Sequence, residues 1–206
     1  GATCQIEAIV RGAYGGDGPT YSTPCSAHAG NIALQRGIIC AAFYPHVAAA
    51  TRTTAHGSRQ QYEKLVLAGP GDVQAWMHPS SINARPDKAE SGLYVYSEKV
   101  ESKTAKGDLR LFLRDTTRVP ASAVLLFGAK PNELDVEKAK QSGRVECAGG
   151  GLRIRASPQT VLLYRLLRRE LDGLLARKAK APEDFPERGP AGKAILETVR
   201  AIVKQD

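Results

Sequence analysis

No run in the 206-residue chain approaches the roughly 18 consecutive apolar residues of a membrane-spanning helix. Residues 1–10 lack the basic-then-apolar order of a secretory leader. A soluble, intracellular protein is the expectation, with the compartment left open. The chain starts at Gly1-Ala2 rather than Met and is expected to be a piece of a longer protein. Cysteine is sparse: Cys4, Cys25, Cys40 and Cys147 are widely spaced with no C-x-x-C pair, which argues against both a zinc knuckle and a disulfide framework. Reduced thiols are expected. Phosphate-binding signatures are missing as well. There is no G-x-x-x-x-G-K-[ST] loop and no D-E-x-H box, and the glycines at 149–151 lack the flanks of a phosphate cradle. The chain alone is expected to hydrolyse no ATP and to carry no cofactor or metal.

What is present is 42% hydrophobic residues, enough to bury a core in one large domain or two small ones. The net charge of +8 is unevenly spread. Residues 1–50 balance, whereas 151–182 hold 8 basic residues against 2 acidic ones. An excess of Lys and Arg favours polyanionic partners through counterion release, although a charged helix face is equally well explained by solvation.

Residues 5–11 read as a short helical remnant, followed by a loop rich in Gly, Ser, Thr and Pro over 12–26. Asn31 is a good N-cap, and Leu34, Ile38 and Ala41 or Ala42 recur at helical spacing, so a helix is predicted there with these residues as its apolar face. Pro45 limits it. From about residue 60 the period changes: 62–67, 73–77, 93–100, 109–114, 144–147 and 152–156 are short β-prone runs separated by turn signals. Gly69-Pro70-Gly71-Asp72 marks a first hairpin, the polar loop 101–108 a second, and 148–151 a third. The run 121–127 fits a strand or a helix. Ser157 as N-cap with Pro158 at the first helical position predicts a helix to about Lys180. Leu163, Leu167, Leu171 and Leu174 form its apolar line, with Arg165, Arg168, Arg169, Arg177 and Lys178 mostly off it. A last helix is predicted over 191–205 on Ile195, Val199, Ile202 and Val203.

Four phrases then occur in order. Residues 31–48 read N-I-A-L-Q-R-G-I-I-C-A-A-F-Y-P-H-V-A, and 78–83 read H-P-S-S-I-N. L-Y-V-Y-S-E-K-V at 93–100 precedes L-F-L-R-D-T-T at 111–117, and L-L-F-G at 125–128 precedes L-R-I-R-A-S-P at 152–158. In this order and spacing they resemble the C-terminal region of DEAH-box, RNA helicase A-like helicases, whose phrases run "C-A-G-L-Y-P-N-V-A", "H-P-S-S-V-N" and "Y-F-E-K-V" with "F-L-R-D-x-T". The sequence departs from them at Phe43 and His46, in a longer and more basic 101–108 loop, and over 12–26.

The resemblance implies an α+β fold: a five-stranded oligonucleotide-binding (OB) barrel flanked by N-terminal and C-terminal helices. The implied division is the end of a helical bundle at 1–60, the OB-fold at 61–157 and a helical extension at 158–206. It implies single-stranded RNA as partner, held chiefly by the second hairpin through Lys99, Lys103, Thr104, Lys106 and Arg110, with His78, Ser80 and Ser81 as further contacts. The helicase lobes of the same polypeptide, which would use ATP and Mg, are an expected neighbour, as is a regulator such as a G-patch segment. A protein-interaction module in a ribonucleoprotein that has lost RNA contact is the other reading. Beside these, His78 and Ser80 in a backbone-satisfying turn outweigh a nucleophile and its base. Trp76 is expected in the core or at the barrel rim rather than under a base. Tyr94 and Tyr96 share one side of their strand, as stacking surfaces or in cross-strand packing. Arg114-Asp115 reads as an internal ion pair or an RNA contact, and the basic helix as a docking face or a solvated one.

Overall fold

The computed structural model describes residues 30–52, 63–67, 73–84, 91–103, 107, 109–181, 183 and 189–203. Outside them fall the expected helix at 5–11, the loop at 12–26, the turn at 69–72, and the candidate residues Thr104 and Lys106.

Local chemistry fixes the helix starts. Helix α1 (Ile32–Phe43) is capped by Asn31, whose Oδ1 accepts the Leu34 N–H at 3.0 Å. Pro45, with no N–H to give, follows its end. Pro120 opens α2 (Ala121–Ala123), which widens into a π turn, Val124–Gly128, so the ambiguous 121–127 run is helical. Helix α3 (Val136–Ser142) starts under Asp135, which accepts from the N–H groups of Glu137 and Lys138, and stops at Gly143 in the left-handed region, φ 66°. Helix α4 (Pro158–Lys180) starts as expected, with Ser157 Oγ accepting the Thr160 N–H at 3.1 Å, and α5 (Pro190–Val203) closes the described chain.

Seven strands form one sheet: β1 (Val47–Arg52), β2 (Glu63–Leu67), β3 (Gln74–Met77), β4 (Gly92–Val95), β5 (Glu98–Lys103), β6 (Leu109–Arg114) and β7 (Thr117–Val119). Their order is β5-β6-β3-β2-β1-β4-β7, antiparallel throughout except β3 with β6. Two more, β8 (Arg144–Cys147) and β9 (Leu152–Arg155), pair only with each other. Where a five-stranded barrel was expected, the structure pairs seven strands in one sheet, two of whose runs are interrupted. The pairs Val95↔Thr117 and Glu98↔Arg114 lie on one unbroken register. Between them Tyr96-Ser97 faces Asp115-Thr116, where Asp115 takes φ 48° and accepts the Ser97 hydroxyl at 2.8 Å. Arg114 pairs with Glu98 across the hairpin at 3.6 Å, not with Asp115 as expected.

Two expected segments also hold different contents. Strand β1 falls inside 1–60, where a helical bundle was expected, and β8–β9 lie inside the expected barrel segment yet stand apart from its sheet. Strand β1 is Ala-rich because both its faces are covered: Val47 packs among the helices, while Ala48 and Ala50 pack with Ala75, Met77, Tyr94, Tyr96 and Leu113 inside the sheet. Strand β4 is sandwiched in the same way, with Val95 on the helical side and Tyr94 on the other. Tyr94 and Tyr96 are thus core residues, 1% and 3% exposed, and offer no stacking surface.

The helical core joins α1, the π turn, β8–β9, α4 and α5. Two glycines let α1 and the π turn interlock. A Cβ at Gly37 would lie 2.5 Å from the Phe127 ring, and one at Gly128 would lie 2.7 Å from the Tyr44 ring. This close approach draws Gly37 and Cys40 inward and leaves Ile38, Ala41 and Ala42, expected on the packed face, exposed. Helix α4 keeps Leu167 and Leu174 on its packed side as expected but departs at its N-terminal end. It buries Val161, Tyr164, Leu167 and Leu174, and Leu163 is exposed. Arg168 turns inward beside Asp172, with Nη1 donating to the carbonyls of Leu126 (2.9 Å) and Phe127 at the π turn. One of the basic side chains expected on a docking face is therefore a cap inside the fold. Among the described residues, no helix is long and apolar enough to cross a membrane.

Candidate nucleic-acid interface

The hairpin β5–β6 leaves the core as it lengthens. Near its root Leu113 is fully buried, Val100, Leu111 and Phe112 are half-buried, and the outermost pairs Ser102↔Arg110 and Lys103↔Leu109 are exposed on both strands. At its tip Gly107 has φ 85°, a conformation that a side chain would strain. Lys99, Lys103 and Arg110 are all exposed, as expected.

Pleating separates them. Successive side chains of a strand point to opposite faces. Arg110 lies on the face carrying Phe112, Val100 and, through the parallel pair Trp76↔Phe112, Trp76. Its guanidinium carbon stands 5.3 Å from the centre of the Trp76 ring. Lys99 and Lys103 lie on the other face, with Glu101 between them. The expected cluster is thus divided: a line of two lysines interrupted by a carboxylate on one side, and an arginine over aromatic rings on the other. Trp76 is half-exposed on the outer face of the sheet, outside both cores.

His78 follows β3 and extends the aromatic face, its ring edge-on to Phe112 at 6.0 Å. Its Nδ1 accepts the Ser80 N–H at 3.2 Å and sits 2.6 Å from Ser80 Oγ. An acceptor Nδ1 leaves the proton of a neutral ring on Nε2, so the Ser80 hydroxyl donates to the ring. These bonds close a turn, and no carboxylate hydrogen-bonds His78 among the described residues. Ser80 is exposed beside the aromatic face, but Ser81 points elsewhere: its Oγ lies 3.0 Å from Thr116 Oγ1, in the break between β6 and β7. Asn83, not singled out from sequence, completes that tie by donating from Nδ2 to the Thr116 carbonyl at 2.6 Å and to Thr116 Oγ1 at 3.1 Å. Ser81 thus serves the fold, and the H-P-S-S-I-N phrase is half staple and half surface.

At the far end of the same long hairpin a cavity of about 320 Å³ is lined by Arg36, Leu93, Arg118 and Pro120 among others. About ten residues of strand, roughly 30 Å, separate it from the tip. Between the helices, Tyr44 donates to Glu133 Oε2 at 2.6 Å and accepts the Ala148 N–H at 2.6 Å. Burial, then the Glu133 carboxylate, push the Tyr44 hydroxyl above its ordinary value. Burial pushes Glu133 up, but hydrogen bonds from Tyr44 and from the Lys130 and Gly149 N–H groups outweigh it, so the carboxyl ends below its usual range. Burial pushes the free thiols of Cys40 and Cys147 up to about 12, with Arg168 pulling the first down and Glu133 adding to the second. Among the described residues, no group of three or more His, Cys, Asp or Glu is placed to hold a metal ion.

Comparison with known proteins fits this geometry. The family described as "Oligonucleotide/oligosaccharide-binding (OB)-fold" matches residues 36–130, and "C-terminal domain in RNA helicases" matches residues 144–205. The chain belongs to the C-terminal region of the DExH/DEAH-box RNA helicases. It is 32% identical over 166 residues to the DExH-box ATP-dependent RNA helicase DExH1 of Arabidopsis thaliana, covering 80% of this chain and 15% of that relative. It is 30% identical over 211 residues to the putative ATP-dependent RNA helicase DHX57 of Homo sapiens, covering 97% and 15%. With the human ATP-dependent RNA helicase DHX29 it shares 26% identity over 175 residues, covering 85% and 11%. This C-terminal region thus spans about a seventh of the first two relatives' length. The first family match begins at residue 36 and takes in β1, and the second begins at β8, consistent with the separation of β8–β9 from the larger sheet.

Proposed function

We propose that this chain is an accessory domain of an ATP-dependent RNA helicase that helps hold single-stranded RNA while lobes elsewhere in the polypeptide, with ATP and Mg, do the work. The observation that carries this is the hairpin β5–β6, which carries exposed Lys99 and Lys103 on one face and exposed Arg110 beside Trp76 and Phe112 on the other. Cations neutralise phosphates without reading sequence, and aromatic rings accept any base, which suits a strand passing through. In this proposal the seven segments act as five strands wound into a barrel: β4 continues into β5 and β6 into β7 on one register, which would join the two ends of the sheet order. Thr104 and Lys106 in the loop would add to the grip, and a G-patch-type regulator is a further partner in this proposal. Anisotropy of labelled poly-U with rising salt tests it. The logarithm of affinity is expected to fall linearly, by about 0.7 per phosphate contacted for each tenfold rise in salt. Affinity indifferent to salt would overturn the phosphate grip.

One feature favours the alternative of a protein-assembly module: Leu162, Leu163 and Leu166 are exposed together on one side of α4. Reversing the charge of Lys99 and Lys103 separates the two. Unchanged RNA affinity together with loss of a pulled-down protein would favour assembly.

A further inference from the structure

We infer that Trp76 is a base-stacking site for single-stranded RNA, with Arg110 as the cation that shares its ring and then its neighbouring phosphate. The inference rests on the RNA-holding reading but places contact on a particular ring. Trp76 is the one tryptophan of the chain, and its side chain lies neither in the sheet core, which uses Tyr94 and Tyr96, nor among the helices. It sits half-exposed on the outer face of β3, beside Phe112 across the parallel pair, with His78 edge-on to Phe112. Three partly exposed rings on one outer sheet face leave some apolar surface in water that a stacked group would cover.

Charge decides what that cover is. Arg110 is exposed, stands 5.3 Å from the ring centre, and comes from the hairpin rather than from the core. A guanidinium over an indole is bound by the ring's electron-rich face and is readily replaced by another flat group. A nucleobase can take that place, leaving the guanidinium to pair bidentately with the adjacent phosphate. An apolar peptide would gain nothing from the cation. The nearby Ser80 hydroxyl is occupied by His78 and the Glu98 carboxylate on this face is paired with Arg114, so rings and the Arg110 cation are its main offer, and stacking here should be indifferent to base identity.

Because Trp76 is the only tryptophan, selectively excited emission from the intact chain reports this position alone. Titration with an oligo-U and an oligo-A strand should quench that emission along the same isotherm as anisotropy of the labelled strand, similarly for both. Trp76→Ala should raise Kd roughly 5- to 150-fold. Trp76→Phe, which keeps a ring and the fold, should recover most of that loss, and Arg110→Ala should lower the salt slope by about 0.7. Salt-dependent binding with unmoved emission, and Trp76→Leu binding as tightly as the native chain, would overturn the stacking site and leave the RNA-holding reading intact. Absence of any RNA binding would overturn both.

Discussion

One long hairpin runs through this protein, and its two ends live in different surroundings. At the β4–β7 end, Val95 and Val119 are buried against the helices, and the strand is covered on both faces. At the β5–β6 end, Lys103 and Leu109 face water, eight register pairs on from Val95↔Thr117. The register is the same on both sides of the break, so pairing does not distinguish them. What differs is what lies behind the strands: helices at one end, nothing described at the other. A rigid, doubly buried root carrying a free tip is a common way to place binding residues on a scaffold. The prediction is that the root governs stability and the tip governs binding.

The largest effect expected is at the root's support. Leu126 is fully buried in the helical core, and Leu126→Ala should cost about 2–5 kcal/mol, read as a lower urea midpoint at unchanged slope, while the folded fraction keeps its RNA affinity. A smaller loss, about 1–3 kcal/mol, is expected for Tyr44→Phe, which leaves the Ala148 N–H and Glu133 without their shared partner. Its pH dependence has a sign at each end. Glu133, lowered in the fold, contributes stability above its unfolded value that disappears as pH falls through the folded one. Tyr44, raised in the fold, contributes below its unfolded value and loses this as pH climbs. The difference between native and variant should therefore be flat from about pH 5 to 10 and shrink on both sides, as urea unfolding across pH will read. The smallest effect on stability, within about 0.5 kcal/mol, belongs to Lys99→Ala with Lys103→Ala on β5. That pair should nonetheless weaken poly-U binding and reduce the salt slope by roughly 1.4. A pair that unfolds the protein, or a Leu126→Ala that abolishes binding by its folded fraction, would break the division between root and tip.

The sequence displayed what is local. Asn31, Ser157 and Pro158 announce their helices because a cap is satisfied within three residues, and the strand runs at 109–114 and 144–147 appear as read. It hid what depends on partners far along the chain. V-A-A-A at 47–50 looks helix-prone, and becomes a strand because only small side chains fit between two cores, a tertiary demand that overrides propensity. The inward turn of Arg168 could not be anticipated, since its acceptors are carbonyls freed by a π turn some 40 residues earlier. The candidate site was visible by residue type but not by face. Alternation alone separates Lys99 and Lys103 from Arg110, and that signal was available in the numbering. The meeting of Trp76 with Arg110 was not, because it needs the parallel pairing of β3 with β6. Asn83 had one clue, an amide two residues after a serine that turns inward.

The division is tested most directly by native-state hydrogen exchange with and without an oligo-U strand. RNA should slow exchange at the amides of 98–103 and 109–114 and leave those of 92–95 and 117–119, already protected by the helices, unchanged. Protection that rises at the root or among the helices, with the tip unaffected, would contradict the account.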